Sequence, residues 1–519
     1  MAKDQNTFIE AVKKSYAPKG SSIYLGAGIL DGNIVAEAEV NIPLRMMNRH
    51  GLIAGATGTG KTRTLQLIAE QLSDAGVPVF MLDVKGDLSG LNKAGTPNPK
   101  LVERGEALKK PFMPSEFPVE LYSLSGKLGA TMRATVSEFG PVLLGKILDL
   151  NDTQTGVLAA IFKYADDQKM AMVDLEDLKK LLGYLSDGDG AAEIKEDYGK
   201  ISSSTSGTIL RKIVSIEQQG LGTLFGEKSF DTEDLYQKVD GKGVISLLNI
   251  SDVQNQPSLY STFLLSLLAE IFNSLPEAGD LDQPKLVFFF DEAHLLFNNS
   301  SKAFLEQIEQ VIRLIRSKGV GVFFCTQAAS DVPESVLGQL GNRVQHALRA
   351  FTPNDADALK KTVKTYPKSD FYEIETILTS LGTGQALITV LNEKGIPTEV
   401  VATHLTPPRS VMGPMSNIDC EELMKTSDIF KKYQEAINPE SACEILTARI
   451  NQKMKEHETQ QEIIQEQKTT KATKPEKSML EEALNAPITR QIGREIVRGI
   501  FGMITGKKTR TNSGGLFGF

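Results

Sequence analysis

The chain has 519 residues, of which 41% are hydrophobic and 24% charged, and its formal net charge is -8. This length suits two or three soluble domains, and the acidic balance argues against a uniformly basic nucleic-acid surface, although contacts confined to a small basic pore stay compatible with it. There is no signal-peptide pattern and no run of about 18 apolar residues, and three widely spaced cysteines (Cys325, Cys420 and Cys443) fit reduced thiols. We therefore expect a cytoplasmic protein without a membrane span, a disulfide framework or a cysteine-based zinc site.

The first predicted element is a β-hairpin. Residues 20–45 alternate apolar and polar side chains around Asp31-Gly32, a dipeptide typical of tight hairpin turns. A short strand "GLIAG", the octet "GATGTGKT", a helix "TRTLQLIAEQLSDAG" and a strand "VPVFMLDVKGD" follow. We interpret 1–47 as a short β-rich N-terminal segment and 48–94 as a βαβ unit that begins an α/β core.

The core is predicted to resume after a long interruption. Helical patterns dominate 95–240, which we interpret as a mainly helical insertion. Short apolar strands then return as "GKGVISLLNI", "KLVFFFDEAHLLF", "GVGVFFCTQ", "NRVQHALRAF" and "GQALITVL", most of them separated by helical segments. Such strands are covered on both faces, so 48–94 and 241–415 are predicted to form one α/β core with a mostly parallel sheet.

The C-terminal hundred residues are polar and mostly helical. We predict a helical extension at 416–457, a low-complexity linker at 458–478 and a basic amphipathic tail at 479–519. In the tail, three arginines recur every four residues and share one helix face: Arg490, Arg494 and Arg498. This face could bind nucleic acid or anionic lipid, but we favour docking of the tail on the rest of the protein.

The octet "GATGTGKT" matches the P-loop pattern at Gly55, Gly60, Lys61 and Thr62. Its glycines let the backbone wrap phosphates, and the helix that begins at the loop adds a favourable potential. Lys61 is expected to reach the β- and γ-phosphates and Thr62 to bind Mg²⁺. The predicted nucleotide-binding residues are Gly55, Ala56, Thr57, Gly58, Thr59, Gly60, Lys61, Thr62 and Arg63. A chance glycine turn is disfavoured because a strand and a helix flank the octet.

Two carboxylates and an amide are predicted to complete the site. Asp291 ends the apolar strand of "KLVFFFDEAHLL" and is placed to hold Mg²⁺, while Glu292 can polarise the attacking water. Behind a full P-loop, a merely solvated strand end is the less favoured alternative. Gln327 ends a strand that we expect between the P-loop strand and the Asp-Glu strand, where it can sense the γ-phosphate or hold the attacking water; the alternative is a strand-end amide that caps a loop.

His294 completes the string "DEAH", which is typical of helicases with two RecA-like domains. About 120 mainly polar and helical residues follow the last predicted strand, which argues against a second core. We therefore favour one core and expect His294 to be a helix-start residue rather than a catalyst.

A single core needs a positive charge opposite the γ-phosphate in the transition state. No arginine of the P-loop unit is placed to supply it, but a neighbouring subunit can. The candidates, each with plain solvent exposure as the alternative, are Arg313, Arg316, Arg343 and Arg349. The second core strand ends with Asp83, Lys85 and Asp87, which are candidates for the nucleotide rim or a subunit interface.

The stretches "RHGLIAGATGTGKT", "VFMLDVKGDLSGL", "FFFDEAHLLF", "GVGVFFCTQ" and "HLTPPRS" together resemble the HerA-like ATPases of the HerA–FtsK superfamily. The resemblance covers residues 20–415 and is closest to the bacterial branch typified by YjgR. It implies a RecA-like P-loop NTPase core, a homo-hexameric ring, ATP and Mg²⁺, and an arginine acting across the subunit interface at the position of Arg316. HerA is a DNA translocase that works with the nuclease NurA. The chain departs from HerA before the P-loop, where about 45 residues stand in place of a β-barrel domain.

Three functional hypotheses follow. The first is a Mg²⁺-dependent, ring-forming ATPase that translocates on DNA, with DNA and a nuclease or other protein as candidate partners. The second is an ATP-switched oligomeric scaffold that gates a protein partner without DNA translocation. The third is a substrate pump like the conjugative ATPases, which should carry a membrane anchor or a matching partner. DNA-stimulated hydrolysis distinguishes the first hypothesis from the second.

Overall fold

The computed structural model describes residues 4–297 and 302–471. The basic tail predicted at 479–519, with its three arginines, lies outside the described residues, as does the last part of the linker predicted at 458–478. The chain divides into two units, the first formed by 1–135 with 218–437 and the second by 136–217 with 438–519. No helix among the described residues is long and apolar enough to cross a membrane.

The first unit is built around a sheet that has 12 strands among the described residues. In chain order the strands are β1 (Ser22–Leu30), β2 (Asn33–Pro43), β3 (Gly51–Ala54), β4 (Val79–Asp83), β5 (Val119–Ser123), β6 (Ala130–Thr131), β7 (Lys238–Val239), β8 (Lys242–Gly243), β9 (Ile245–Asn249), β10 (Leu286–Phe290), β11 (Val320–Thr326), β12 (Asn342–His346), β13 (Gln385–Thr389) and β14 (Val401–Leu405). Strands β7 and β8 form a separate two-stranded ribbon.

The large sheet runs in the order β2-β1-β14-β13-β12-β3-β11-β10-β4-β9-β5-β6. In this sheet order, neighbouring strands from β2 to β12 pair antiparallel. Neighbouring strands from β12 through β3 to β6 pair parallel. The predicted α/β class with a mostly parallel sheet is therefore confirmed. Strand β11 lies between β3 and β10, the order that the sequence predicts.

The helices, in chain order, are α1 (Gln5–Tyr16), α2 (Lys61–Asp74), α3 (Pro99–Ala107), α4 (Val136–Ile147), α5 (Asp152–Asp167), α6 (Leu175–Ser186), α7 (Ala191–Asp197), α8 (Ser203–Gln218), α9 (Pro257–Ser274), α10 (His294–Phe297), α11 (Lys302–Ile315), α12 (Glu334–Leu337), α13 (Pro353–Val363), α14 (Ile374–Ser380), α15 (Asn417–Thr426), α16 (Asp428–Gln434) and α17 (Ala442–Lys471). His294 begins α10, as expected of a helix-start residue. Helix α17 continues through the first part of the predicted linker.

The hairpin β1–β2 joins the large sheet through β14 instead of standing apart from it. Its turn has Asp31 at φ 48° and Gly32 at φ 82°, two left-handed residues of the kind that a tight hairpin turn requires. Strands β5 and β6 also belong to the large sheet, although they lie within the range 95–240 that the sequence pattern marks as mainly helical.

Central strands β10 and β11 are buried along their whole length, as apolar strands covered on both faces should be. Their register pairs Phe289 with Phe323 and Phe290 with Phe324, and each pair of rings packs with centroids 5.3 and 5.5 Å apart. Each fully buried phenylalanine contributes about 1.5–3 kcal/mol of hydrophobic stabilisation. This packing fixes the strand ends that carry Asp291 and Gln327.

The second unit contains helices α4 to α7, most of α8, and α17. Its buried anchor is Asp177 in α6, whose carboxylate accepts hydrogen bonds from the Val173 amide at 2.7 Å, the Ser441 hydroxyl at 2.6 Å and the Cys443 amide at 2.7 Å. These bonds attach the first turn of α17 to α6. Within 95–240, the described helical bundle therefore occupies 136–217, while the residues on either side of it belong to the first unit.

His50, directly before β3, links two other elements of the core. Its Nε2 donates to the Ile312 carbonyl oxygen in α11 at 2.8 Å, and its Nδ1 accepts from the Val322 amide in β11 at 3.0 Å. These roles require the neutral ring, and burial lowers the pKa of His50 to about 4. His50 thus holds α11 against β11, and Arg316 directly follows the end of α11.

A pH dependence of stability follows from the depressed pKa of His50. Between about pH 6.5 and 4 the unfolded chain binds a proton that the folded protein rejects, so stability is present above this window and lost as pH falls. In reversible denaturant unfolding, the free energy of unfolding of the wild type should fall by about 2 kcal/mol more than that of His50→Gln between pH 7 and pH 5. Parallel pH curves for the two proteins would contradict this assignment.

Candidate functional site

The octet forms a loop between β3 and α2 whose backbone conformation favours glycine at three positions. Gly55, Gly58 and Gly60 have φ of 153°, 78° and 112°. A Cβ at Gly55 would lie 2.5 Å from the Cβ of His346, so the loop packs too closely on β12 for any side chain there. The structure places all nine predicted nucleotide-binding residues in this loop and the first turn of α2.

Neighbouring strands hold the loop. The Gly55 amide donates to the Thr326 carbonyl oxygen at 3.2 Å, and the Ala56 amide donates to that of Ala347 at 2.9 Å. Farther along, Thr59 accepts from the Gly384 amide through its carbonyl oxygen at 3.1 Å. The loop is therefore fixed at both ends by backbone bonds, which suits a rigid cradle for phosphates.

Lys61 and Arg63 differ in where their charges lie. The Lys61 ammonium donates to the carbonyl oxygens of Gly55 at 2.7 Å and Ala56 at 3.2 Å, so its charge lies over the loop. The Arg63 guanidinium instead donates to Gln66 Oε1 at 3.0 Å and to the Met412 carbonyl oxygen at 3.1 Å. Arg63 therefore lies beside the loop, and its guanidinium is bound to α2 and to the segment after β14 rather than to the loop itself.

A hollow of about 160 Å³ opens beside Gly60, between α2 and the segment after β14. Its lining is mostly apolar and includes Leu67, Leu101, Leu405, Pro407, Pro408 and Met412. The segment "HLTPPRS" contributes to this lining, a contact that no periodicity in the sequence indicates. The hollow suits the apolar faces of a base attached to phosphates in the loop.

Asp291 directly follows β10 and is almost completely buried, with 3% of its surface exposed. Burial raises the pKa of its carboxyl group, and the negative charge of Glu292 raises it further. Its Oδ1 accepts the Glu292 amide at 3.0 Å, whereas Oδ2 is buried without a hydrogen-bond partner among the described residues. A buried carboxylate oxygen without a partner suits a cation, which offsets the cost of burying the charge.

These donors fit Mg²⁺, which takes one or two carboxylates together with substrate phosphates and waters. Asp291 and the Thr62 hydroxyl would hold the ion. Within 4–297 and 302–471 there is no group of three or more His, Cys, Asp or Glu that could form an all-protein metal cage.

Glu292 follows Asp291 in a left-handed backbone conformation, with φ 49°, and its side chain is 12% exposed. Its Oε1 accepts a hydrogen bond from Lys85 Nζ at 2.7 Å. Its Oε2 is 3.5 Å from His294 Nδ1 and has no hydrogen-bond partner among the described residues. One carboxylate oxygen of Glu292 is thus engaged, while the other remains able to accept.

Gln327 is exposed at the end of β11, at the same edge of the sheet as the P-loop. The Asp331 carboxylate fixes its loop by accepting from the Thr326 hydroxyl at 2.5 Å and the Ala328 amide at 2.9 Å. A cleft of about 430 Å³ brings together Ala56 of the P-loop, Gln327 and Arg349. The structure therefore places Gln327 on a cleft that the phosphate loop also lines.

Arg316 lies at the opposite edge of the sheet. It is exposed at the start of a short 3-10 turn, Arg316–Lys318, that leads into the amino end of β11. The seven residues of β11 span about 20 Å, so Arg316 is far from the P-loop of its own chain. Partial burial and the nearby positive charge of Arg49 lower the pKa of Arg316.

The other three candidate arginines differ in their location and in their hydrogen-bond partners. Arg313 is exposed in the last turn of α11, on the way to Arg316. Arg343 is bound to the carbonyl oxygens of Leu340 and Leu337 at 3.4 and 3.3 Å. Arg349, at the P-loop edge, donates to the Thr379 carbonyl oxygen at 2.9 Å.

Sequence reasoning missed Arg49, whose charge adds to that of Arg316 at the amino edge of the sheet. The available signal was its place directly before the P-loop strand. Because parallel strands begin at a common edge, a residue before β3 comes near one before β11.

A family model described as "Helicase HerA-like C-terminal" matches residues 30–510 of this chain. The "DNA double-strand break repair helicase HerA" of Sulfolobus acidocaldarius is 22% identical over 391 residues, 71% of this chain and 68% of that protein. The "DNA import protein CedB" of the same organism is 26% identical over 381 residues, 72% of this chain and 54% of that protein.

Solved structures that resemble the chain include plasmid coupling protein TrwB in complex with the GTP analogue GDPNP. Its TM-score is 0.48 at 13% identity, and the match covers 78% of this chain and 99% of that chain. VirB4 of Thermoanaerobacter pseudethanolicus matches with a TM-score of 0.45 at 15% identity, over 75% of this chain and 97% of that one.

Proposed function

The chain belongs to the Helicase HerA-like C-terminal family, and on this premise we propose that it is a ring-forming motor that hydrolyses ATP with Mg²⁺ and translocates on DNA. Within the family we assign it to the bacterial branch typified by YjgR, on the motifs that carry that resemblance. One observation supports the ring above all: Arg316 lies at the sheet edge opposite the P-loop, Asp291 and Gln327.

In the proposed site, the amides of Gly55–Lys61 and the Lys61 ammonium bind the β- and γ-phosphates. The base occupies the apolar hollow beside Gly60. Thr62 and Asp291 would hold Mg²⁺, which would neutralise charge on the phosphate oxygens. Glu292 Oε2 accepts a hydrogen bond from the attacking water, and Gln327 contacts the γ-phosphate or that water from the neighbouring strand end.

The ring follows from the need for a positive charge at the transition state. Since Arg316 cannot reach the P-loop of its own chain, it acts on the γ-phosphate bound by a neighbouring copy, with Arg49 beside it. The amino edge of one subunit then faces the P-loop edge of the next. Such a head-to-tail contact closes into a ring when the rotation between copies allows it. We propose six copies, as the resemblance to HerA implies.

The names of two related proteins, the HerA helicase and the DNA import protein CedB, support DNA as the polymer on which the motor moves. Because contacts to phosphates release counterions, the motor should bind DNA more tightly at low salt. We expect ATP turnover by the purified protein to rise severalfold when double- or single-stranded DNA is added at low salt. Raising the salt should remove this stimulation while turnover without DNA changes little.

The contrary result is equally informative. If the protein forms rings and hydrolyses ATP, yet no DNA changes its turnover at any salt concentration, the translocase proposal is wrong. The ATP-switched scaffold that gates a protein partner would then account for the same site. A Lys61→Ala variant, which should lose ATP binding, controls for contaminating ATPase in both arms of the assay.

A further inference from the structure

The segment after β4 forms a rigid loop around Asp83. The Asp83 carboxylate, almost completely buried, accepts the amides of Gly86 at 2.7 Å and of Asp87 and Leu88 at 3.1 Å each. Gly86 has φ 74°, a left-handed conformation that favours glycine in this tight turn. The backbone of Lys85 is therefore held in place by the bonds on either side of it.

From this loop the Lys85 side chain crosses to the end of the adjacent strand β10. Its ammonium lies 2.7 Å from Glu292 Oε1 in a charge-assisted hydrogen bond, and this contact raises the pKa of Lys85. Lys85 is 52% exposed, whereas the Glu292 side chain is 12% exposed. The contact thus joins a fixed, accessible cation to a nearly buried carboxylate at the catalytic position.

Lys85 is the closest polar side chain to Glu292 among the described residues. The other neighbour, His294 Nδ1, is 3.5 Å from Oε2, longer than an effective hydrogen bond. The left-handed backbone of Glu292 costs a non-glycine residue about 1 kcal/mol. Such a conformation sets an unusual direction for the side chain, and the Lys85 contact at 2.7 Å holds the carboxylate at its end.

We propose that Lys85 is the positioning residue of Glu292. By holding Oε1, it leaves Oε2 directed to the attacking water and restricts rotation of the carboxylate. In this role Lys85 acts through Glu292 and not directly on substrate or metal. The inference rests on the proposed ATP hydrolysis and adds to it a residue that the sequence marked only as a candidate for the nucleotide rim or a subunit interface.

The test is steady-state ATP hydrolysis by Lys85→Met, which keeps the length of the side chain and removes its charge. Loss of orientation should lower kcat about 10- to 100-fold and leave KM for ATP within about twofold, because a misplaced group affects the transition state more than binding. Lys85→Arg, which can still donate to Oε1, should recover part of the lost kcat. Lys93→Met is the matched control, since Lys93 also pairs with one carboxylate, that of Asp419 at 2.8 Å, and is 45% exposed.

A second arm separates positioning from a general structural role. In a Glu292→Gln background, Lys85→Met should cause no further loss, since the group on which it acts has been changed. Equal losses in both backgrounds, a rise in KM equal to the fall in kcat, or an unchanged kcat would each overturn the inference. If the wild type hydrolyses ATP and Lys85→Met matches it, only this inference fails. If the wild type hydrolyses no ATP, the proposed function fails with it.

Discussion

Replacing Glu292 by Gln should reduce ATP turnover about 1000-fold, the contribution expected of a positioned general base. The reduction corresponds to about 4 kcal/mol of transition-state stabilisation. Gln keeps the size of the side chain but cannot take a proton or carry the negative charge that polarises water. Nucleotide binding should persist, because the P-loop and Asp291 do not depend on this carboxylate. Turnover and ATP affinity, measured on the same preparation, check both expectations.

Glu176→Gln is a suitable control, since Glu176 is an exposed carboxylate on α6 in the second unit, which carries none of the proposed site residues. It should hydrolyse ATP at the wild-type rate. Normal turnover by Glu292→Gln would disprove the role of Glu292 in activating water. Loss of ATP binding in that variant would instead assign Glu292 to the structure of the nucleotide site.

Removing the Arg316 side chain should lower kcat by at least about 1000-fold, the range known for arginines that stabilise phosphoryl transfer. The loss should fall on kcat more than on KM, since the guanidinium matters most as charge develops on the transferring phosphoryl group. Arg316→Lys should recover little, because a lysine cannot reproduce the planar fork of an arginine. The assay is steady-state turnover on protein confirmed to be assembled.

Arg313→Ala is the matched control for Arg316, since both are exposed arginines of the same segment three residues apart. Arg313→Ala should stay within about twofold of wild type, as surface substitutions usually do. Should Arg349→Ala abolish turnover while Arg316→Ala does not, the positive charge would come from the P-loop edge of the same chain. The proposed ring would then lose its main support.

The central strands could be predicted because local pattern and tertiary environment agree there. Runs such as "KLVFFF" and "GVGVFFC" are apolar at every position, as buried parallel strands must be, and the P-loop octet fixes the strand and helix on either side of it. The polar residues at the ends of β3, β11 and β10 also predicted their order, with β11 between the other two. The roles of Lys61, Asp291, Glu292 and Gln327 remain predictions, now with a defined geometry.

Other elements carry no local signal of comparable strength. Strand β5, "VELYS", is short and alternates only weakly, and its pairing with β9 joins residues more than 100 positions apart. Strand β14 pairs with β1 across most of the chain, so the sheet edge that they form depends on contacts that no window of sequence contains. Propensity is overridden by such long-range pairing.

The same limit applies to the site. Lys85 and Glu292 are separated by 207 positions, and only the parallel pairing of β4 with β10 brings their strand ends together. The sequence identified Lys85 as part of a polar strand end without indicating its partner. Arg316 illustrates the reverse case: the resemblance implies its role, which stays a prediction, and the structure places it at the sheet edge opposite the P-loop of its own chain.

The central claim is that each ATP site is completed by a neighbouring copy, and mixing two inactive variants tests it most directly. Glu292→Gln and Arg316→Ala subunits, each nearly inactive alone, are combined under conditions that exchange subunits, and turnover is followed against the mixing ratio. In an equal mixture about a quarter of the interfaces join an intact Glu292 to an intact Arg316 of the neighbour, so activity should reappear and peak near equal amounts. Mixtures that exchange subunits yet stay as inactive as their components would contradict a site shared between copies.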